Sequence, residues 1–531
     1  MDNYVKALGL NEFMNRNQQA VVKIDNKQLA LIKGQDEEIY AIDNRCPHEG
    51  FPLSEGTVDG KNYLTCNWHN WKFCLKTGDC VIGGDDVRTY PIKVVDEQIY
   101  VDLSPAPLDQ IEKRIMKGLR TAFEKREYGR IARELARLHY SGIEPIKAIE
   151  SVILWSAERF EYGMTHAYAA LTDWLWLHDQ KQGQLEEQLI CLTEAIEHVS
   201  FDALRRPLYP FDTSVAPYES QKFIQAIEEE EESQAMAMLN SALAANISLD
   251  ILEKDFSSAA LMHYNDFGHS LIYVYKTFEL ARRFSTDASA AVLRCMLRSL
   301  CYTSREDLIP EFREYAERLT TFKKKLSHDK EQDIGESLNA KNPSEAMDWL
   351  SNLDKAPSYE NLFDYLLYKN AQNFCLYDIN MQYETQNNVS HNIGWLDFTH
   401  AITFANAVRF QCLKFPELWP AGLMQMACFY GRNASFIDEG HDAEQWIVED
   451  FEAFKKTCIE KILDHGLPVP IFSAHLMKNF RAAVEEYEPA SAQTKDWLLR
   501  AHNRFFHSPI KGKHAKRLVQ QGIKLVQKDY A

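Results

Sequence analysis

Two short Cys/His pairs constrain this chain more than any other feature. Cys46-Pro47-His48 is followed, after 17 residues, by Cys66-Asn67-Trp68-His69. Two thiols and two imidazoles on two loops form a metal-ligand set, because thiolate and imidazole are what soft and borderline metals take from a protein. The surrounding text sets these loops in a small antiparallel β domain. From Gln19 to Tyr40 apolar and polar residues alternate in short runs, AVVKI, LALIK and EEIYAI, with turn residues such as Asp25-Asn26 between them. The same texture returns over Val87–Leu103, where Asp96-Glu97 separates two strand-like runs. A structural zinc site uses the same residue types, so residue type alone leaves the metal open.

The order within each pair, together with Pro47, Gly50, Leu53, Gly56, Trp71, Phe73, Gly78 and Pro91, resembles the Rieske-type [2Fe-2S] family. The resemblance implies an electron-transfer cluster in residues 1–105, held by Cys46, His48, Cys66 and His69, with the sulfurs on one iron and the nitrogens on the other. The position after the second histidine, usually Gly in that family, is Asn70, the residue type that next best tolerates a left-handed backbone. High-potential members carry two further cysteines that staple the ligand loops. Here Phe51, or its neighbour Gly50, and Trp68 stand in those places. That implies the oxygenase and ferredoxin branch, toward the lower end of the roughly −150 to +300 mV Rieske range. Cys74 and Cys80 read as small buried side chains.

Ser104-Pro105-Ala106-Pro107 ends the strand pattern, and from Leu108 the period is helical. Runs such as IEKRIMKGLRTAFEKREYGRIARELARLHY place apolar residues three and four apart, with charged faces between. The expected architecture is multidomain: a small all-β domain over residues 1–105, then a large all-α helical domain over 108–531. The polar, turn-rich stretch Asp329–Pro343 is a candidate division of that domain into two halves. A net charge of −18 argues against nucleic acid, which needs a positive footprint. There is no basic-then-apolar leader and no apolar run near the roughly 20 residues that cross a bilayer, so no membrane association and a soluble, cytoplasmic protein are expected. Eleven cysteines, an odd number without a regular framework, fit a reducing compartment.

The helical body lacks the mixed fold and iron motif of ordinary Rieske oxygenase subunits. Its nearest text, Asn265-Asp266-Phe267-Gly268-His269, has Val274 where a second histidine belongs. It does carry His166, His269, His400 and His475, each after a small residue and before long apolar runs, the setting of an interior side chain. Asp266 with His269 and Asp397 with His400 are i,i+3 pairs, which on a helix offer a carboxylate and an imidazole to one point. Di-iron bundles use the analogous Glu-x-x-His twice. His166 and His475, with Glu158 or Glu161, would supply the other helices of a site for one or two non-haem irons. The competing reading is a core histidine whose tautomer the aspartate merely fixes. His178, His263, His391 and His441 read as surface or loop residues. The body also bears a diffuse likeness to questin-oxidase-like proteins, carried by no particular residue.

The resulting expectation is an oxidoreductase, a Rieske-cluster-dependent oxygenase of the monooxygenase type. A NAD(P)H-dependent reductase or a ferredoxin feeds it, and it uses O2 on a small organic molecule. The family resemblance implies assembly into a homo-oligomer. The alternatives are a ferredoxin-like electron carrier fused to a non-catalytic helical binding module, and noncovalent haem on an axial histidine.

Overall fold

The computed structural model describes residues 3–17, 19–264, 266–325, 337–353 and 357–527. The chain divides into two compact units, Met1–Pro145 and Ile146–Ala531.

The first unit holds strands β1 (Tyr4–Gly9), β2 (Gln19–Ile24), β3 (Lys27–Lys33), β4 (Ile39–Asp43), β5 (Thr57–Val58), β6 (Tyr63–Thr65), β7 (Lys72–Cys74), β8 (Cys80–Ile82), β9 (Thr89–Tyr90), β10 (Ile92–Val95) and β11 (Gln98–Asp102). They form three antiparallel sheets, ordered β1-β11-β10, β2-β3-β4-β9 and β5-β6-β7-β8. Alternation sets the faces: Ala20, Val22 and Ile24 point inward from β2 while Val21 and Lys23 face out. Asp96 and Glu97 both take positive φ, 46° and 58°, between β10 and β11. That two-residue turn matches the twist of the strands it joins. One apolar cluster includes Phe13, Leu29, Leu31, Ile99 and Val101. A second, with Leu53, Leu64, Phe73 and Leu75, also contains Cys46 and Cys66 and forms the floor of the ligand loops.

The break at Ser104–Pro107 is where strands give way to helices, but the compact units divide later. The helices Leu108–Lys125 and Tyr128–Tyr140 pack on each other within the first unit. An ionic knot ties the second of them to the strand region. Asp85, 1% exposed, is met by Arg130, Arg133 and Arg137 at 2.7, 2.9 and 2.9 Å. Burial alone would raise the Asp85 carboxyl, yet the arginines hold it below the usual range. Arg133 and Arg137 reach solvent, whereas Arg130 is 7% exposed. Asp85→Ala removes the shortest carboxylate contact of Arg130, which keeps Glu127 at 3.2 Å and Glu134 at 3.9 Å, and should cost about 2 kcal/mol. Denaturant titration followed by the visible absorbance of the first unit checks this.

The second unit is helical, apart from 3-10 turns and one isolated bridge between Tyr377 and Ile437 among its described residues. Four of its helices, His166–Gln180, His269–Arg283, Trp395–Lys414 and Pro470–Tyr487, close a ring in which each packs on the next. They are core helices: twelve of the fifteen residues of His269–Arg283 are buried. Trp174 and Trp395 are fully buried in this unit. Of the stretch Asp329–Pro343, residues 329–336 lie outside the described residues. Residues 337–342 are non-helical and lead into the Pro343–Asn352 helix, capped by Asn342. No helix among the described residues is long and apolar enough to cross a membrane.

Candidate metal centres

The two Cys/His loops are built alike. Cys46 N–H donates to Phe51 O and Gly50 N–H to Cys46 O, both at 2.8 Å. Cys66 N–H donates to Trp71 O at 2.8 Å and Asn70 N–H to Cys66 O at 2.9 Å. Each loop turns on a left-handed residue, Gly50 at φ 84° and Asn70 at φ 59°, so Asn70 fills the position where the family has glycine. The thiols face each other on the buried floor, Cys46 2% and Cys66 1% exposed. Burial, with Cys66 beside it, pushes the Cys46 thiol up to about 11, so a bare thiolate is disfavoured there without a cation.

His48 and His69 lie edge to face with centroids 4.6 Å apart, and His48 stacks on Trp71. Their Nε2 atoms turn outward to Glu49, at 4.0 and 3.6 Å. The Nδ1 of His48 is buried without a hydrogen-bond partner among the described residues. A buried imidazole nitrogen without a partner and two buried thiols are donors of the kind a [2Fe-2S] cluster takes, so Cys46, His48, Cys66 and His69 fit that group. Phe51 and Trp68, the residues at the staple positions, stack at 3.9 Å and 12°. An aromatic clamp joins the loops where high-potential relatives have a disulfide.

In the second unit the ring of helices brings His166, His269, His400 and His475 together. His166 follows Thr165, which caps its helix by accepting from Ala167 N–H and is anchored by donating to Asp202. His269 opens the next helix after Gly268, whose φ is 74° and whose Cβ position Phe404 and Phe429 crowd, so no larger residue fits. His400 and His475 lie mid-helix, one from each of the other two. Exposure is 9% at His269, 8% at His400 and 1% at His475.

The Nε2 atoms converge. His269 and His166 are 3.0 Å apart and His475 and His400 3.3 Å, and ligand atoms of His166, His269 and His400 all lie within 4.8 Å of one another. A metal with bonds of about 2.0–2.1 Å needs neighbouring nitrogens about 2.9–3.4 Å apart, the spacing found in the His269–His166 and His475–His400 pairs. Their outer nitrogens are set for it. His269 Nδ1 donates to Asp266 O at 2.5 Å and His475 Nδ1 to Ile471 O at 2.6 Å, which leaves each Nε2 lone pair facing the centre. His166 Nδ1 is 3.1 Å from the Tyr273 hydroxyl. Burial, followed by the positive charge of Lys478, lowers His269 to about 3 and lowers His400 and His475 well below the usual range. All remain neutral and able to ligate.

The two aspartates do not join them. The i,i+3 argument for Asp266 and Asp397 required both members of each pair to point from one helical face. Asp266 precedes its helix in left-handed backbone, φ 42°, so its carboxylate falls on the outer side, 3.8 Å from His269 Nδ1. Asp397 sits in the first turn of its helix and accepts the Gly394 N–H at 2.8 Å as a cap. Glu158 and Glu161 are exposed. The centre is thus all-imidazole, and the tautomer-fixing reading applies in part to His269, through the backbone carbonyl of Asp266. Sequence reasoning passed over Tyr273 and Lys478, although Tyr273 is i+4 from His269 and Lys478 i+3 from His475, spacings that share a helix face. His263 is also buried, not a surface residue, and lies 3.2 Å from Glu228.

Comparison with known proteins bears on the first unit. Residues 4–91 match the Rieske [2Fe-2S] domain family. A 3-phenylpropionate/cinnamic acid dioxygenase ferredoxin subunit from Photorhabdus laumondii is 38% identical over 71 residues, 13% of this chain and 68% of that protein. Its counterpart from Escherichia coli K12 is 34% identical over 87 residues, 16% of this chain and 82% of that protein. Among solved structures, the Pseudomonas putida CBB5 NdmA QL mutant with theobromine is 25% identical over 19% of this chain and 34% of that one, with a TM-score of 0.18. The ferredoxin of carbazole 1,9a-dioxygenase from Nocardioides aromaticivorans IC177 is 21% identical over 19% of this chain and 99% of its own, also at 0.18.

Proposed function

This chain belongs to the Rieske [2Fe-2S] family through residues 4–91, and from that premise we propose that it is an oxygenase whose terminal metal is a single non-haem iron in the helical unit. The grouping of His166, His269 and His400 ligand atoms within 4.8 Å of one another, with His475 Nε2 3.3 Å from His400 Nε2, carries the reading. The cluster, when bound, supplies single electrons, and the iron activates O2 toward a small organic molecule. A NAD(P)H-dependent reductase or a ferredoxin would refill the cluster, and a soluble, cytoplasmic homo-oligomer fits such a chain.

The chain's own residues have definite tasks in this reading. Cys46, His48, Cys66 and His69 hold the cluster, with Glu49 beside the outward imidazole faces. His166, His269, His400 and His475 hold the iron. The Asp266 and Ile471 carbonyls and the Tyr273 hydroxyl orient their rings. The buried aromatic wall of Phe404 and Phe429, against Gly268, excludes water from one side.

Iron analysis of anaerobically prepared full-length protein tests it. One iron per chain beyond the two of the cluster is expected, and His475→Ala should lose that one alone. Two irons in both proteins, without haem absorbance, would instead make the chain an electron carrier fused to a binding module.

A further inference from the structure

Four imidazoles are four neutral donors, so a divalent ion among them keeps its full double charge. Oxygen-ligand iron sites usually offset that charge with a carboxylate, and here Asp266 and Asp397 are turned away. The ionisable group that acts on all four rings is a lysine, Lys478, which burial lowers to about 7, so its ammonium needs an anion nearby. Lys478 depresses all four histidines. An ammonium beside a metal cation, in a site closed to water, is tolerable only with an anion close to both.

The space for one is present. Beside His166 lies a cavity of about 10 Å³, lined also by Tyr273, Asp173, Lys276, Asn406 and Lys478, enough for one water-sized particle. Its other polar groups are committed. Asp173 is 2.8 Å from Lys276 and 3.2 Å from Arg481. Asn406 donates to Glu485 and Glu486, and the Tyr273 hydroxyl meets His166. Lys478 is the exception. It is 7% exposed and makes no hydrogen bond or ion pair with the described residues, Asp173 acting on it only at longer range.

We propose that this cavity is the seat of a small anionic ligand of the metal, of hydroxide or fluoride size, which accepts a hydrogen bond from Lys478. The inference rests on the four-histidine iron reading and deepens it. It assigns the open coordination position to the His166 side and gives Lys478 the role of binding the exogenous ligand. An O2-derived anion would meet the same donor. No covalent step is involved, only replacement of a water by the anion.

The test is a fluoride titration of the oxidised, iron-loaded full-length protein, followed by the EPR signal of its mononuclear ferric ion, since an oxidised [2Fe-2S] cluster is EPR-silent. Lys478→Met should keep its iron and raise the fluoride dissociation constant about tenfold or more, the worth of a charge-assisted hydrogen bond. Lys478→Gln, which keeps a donor and loses the charge, should fall between, and serves if the methionine variant does not fold. Equal fluoride affinity in wild type and the folded variants, or no fluoride binding to an iron-loaded wild type, overturns the anion site and leaves the iron site standing. A wild type with cluster iron alone overturns the metal reading, and the anion site with it.

Discussion

Cys66→Ala should yield protein without its [2Fe-2S] cluster, its iron content lower by two per chain, while the iron proposed for the helical unit stays. Both thiols sit on the apolar floor formed by Leu53, Leu64, Phe73 and Leu75, so the variant leaves a methyl group where the cluster needs a thiolate. The clamp above cannot compensate: a stacked aromatic pair contributes about 0.5–1.5 kcal/mol, far less than metal–ligand bonds. Visible absorbance and iron counting read the result. A variant that keeps two cluster irons would show that Cys66 is not a ligand. Because the histidine centre belongs to the other compact unit, the same preparation should still bind its single ion.

The second large effect is acid sensitivity of the metal-free protein. His166, His269, His400 and His475 have folded-state values below the ordinary one near 6.5, because burial penalises the imidazolium and neighbouring cations oppose it. The unfolded chain therefore binds protons that the folded chain refuses. Their contribution is fully present above pH 6.5 and is lost as pH falls from there toward the folded values, about 3 at His269. Between pH 7.5 and 5.5 each histidine costs about 1.4 kcal/mol. Asp266 and Glu306 work the other way: burial raises them to about 6 and about 7, so the folded state takes up their protons over the same interval. The net loss from these six groups should be on the order of 3 kcal/mol, and His502, lowered by burial to about 4, adds about 1 kcal/mol in the same direction. Denaturant midpoints of metal-free protein at pH 7.5, 6.5 and 5.5 measure it. Stability that is flat, or that rises, across that range would mean the four rings are not held neutral.

Much of this was legible beforehand, for identifiable reasons. The cluster loops were readable because ligation, turn and flank lie within one short stretch of chain, and Asn70 proved left-handed as its residue type suggests. The four histidines were readable one by one, since each follows a small residue and precedes a buried run. Which donors accompany them was not. Asp266 and Asp397 hold the right spacing to their histidines, but spacing fixes direction only inside a helix, and both lie at a helix start where the backbone turns or the cap claims the carboxylate. The end of the first unit was obscured in the same way. Local periodicity marks the change at Pro107, whereas the contacts of Arg130, Arg133 and Arg137 with Asp85 join residues far apart in sequence.

The order in which the molecule is made follows from the spread of the histidines. His166 and His269 are 103 residues apart, and His400 and His475 are 75 apart. Closing such long loops is entropically costly and slow, and no partial helix pair holds more than half of the donors. Under the proposed four-histidine reading the nascent chain offers the ion nothing tight until the ring is complete, and ion capture is expected as the last event of maturation. The Cys/His loops, only 17 residues apart, can mature first and independently. A refolding chain should accordingly gain its brown colour before it gains its last iron.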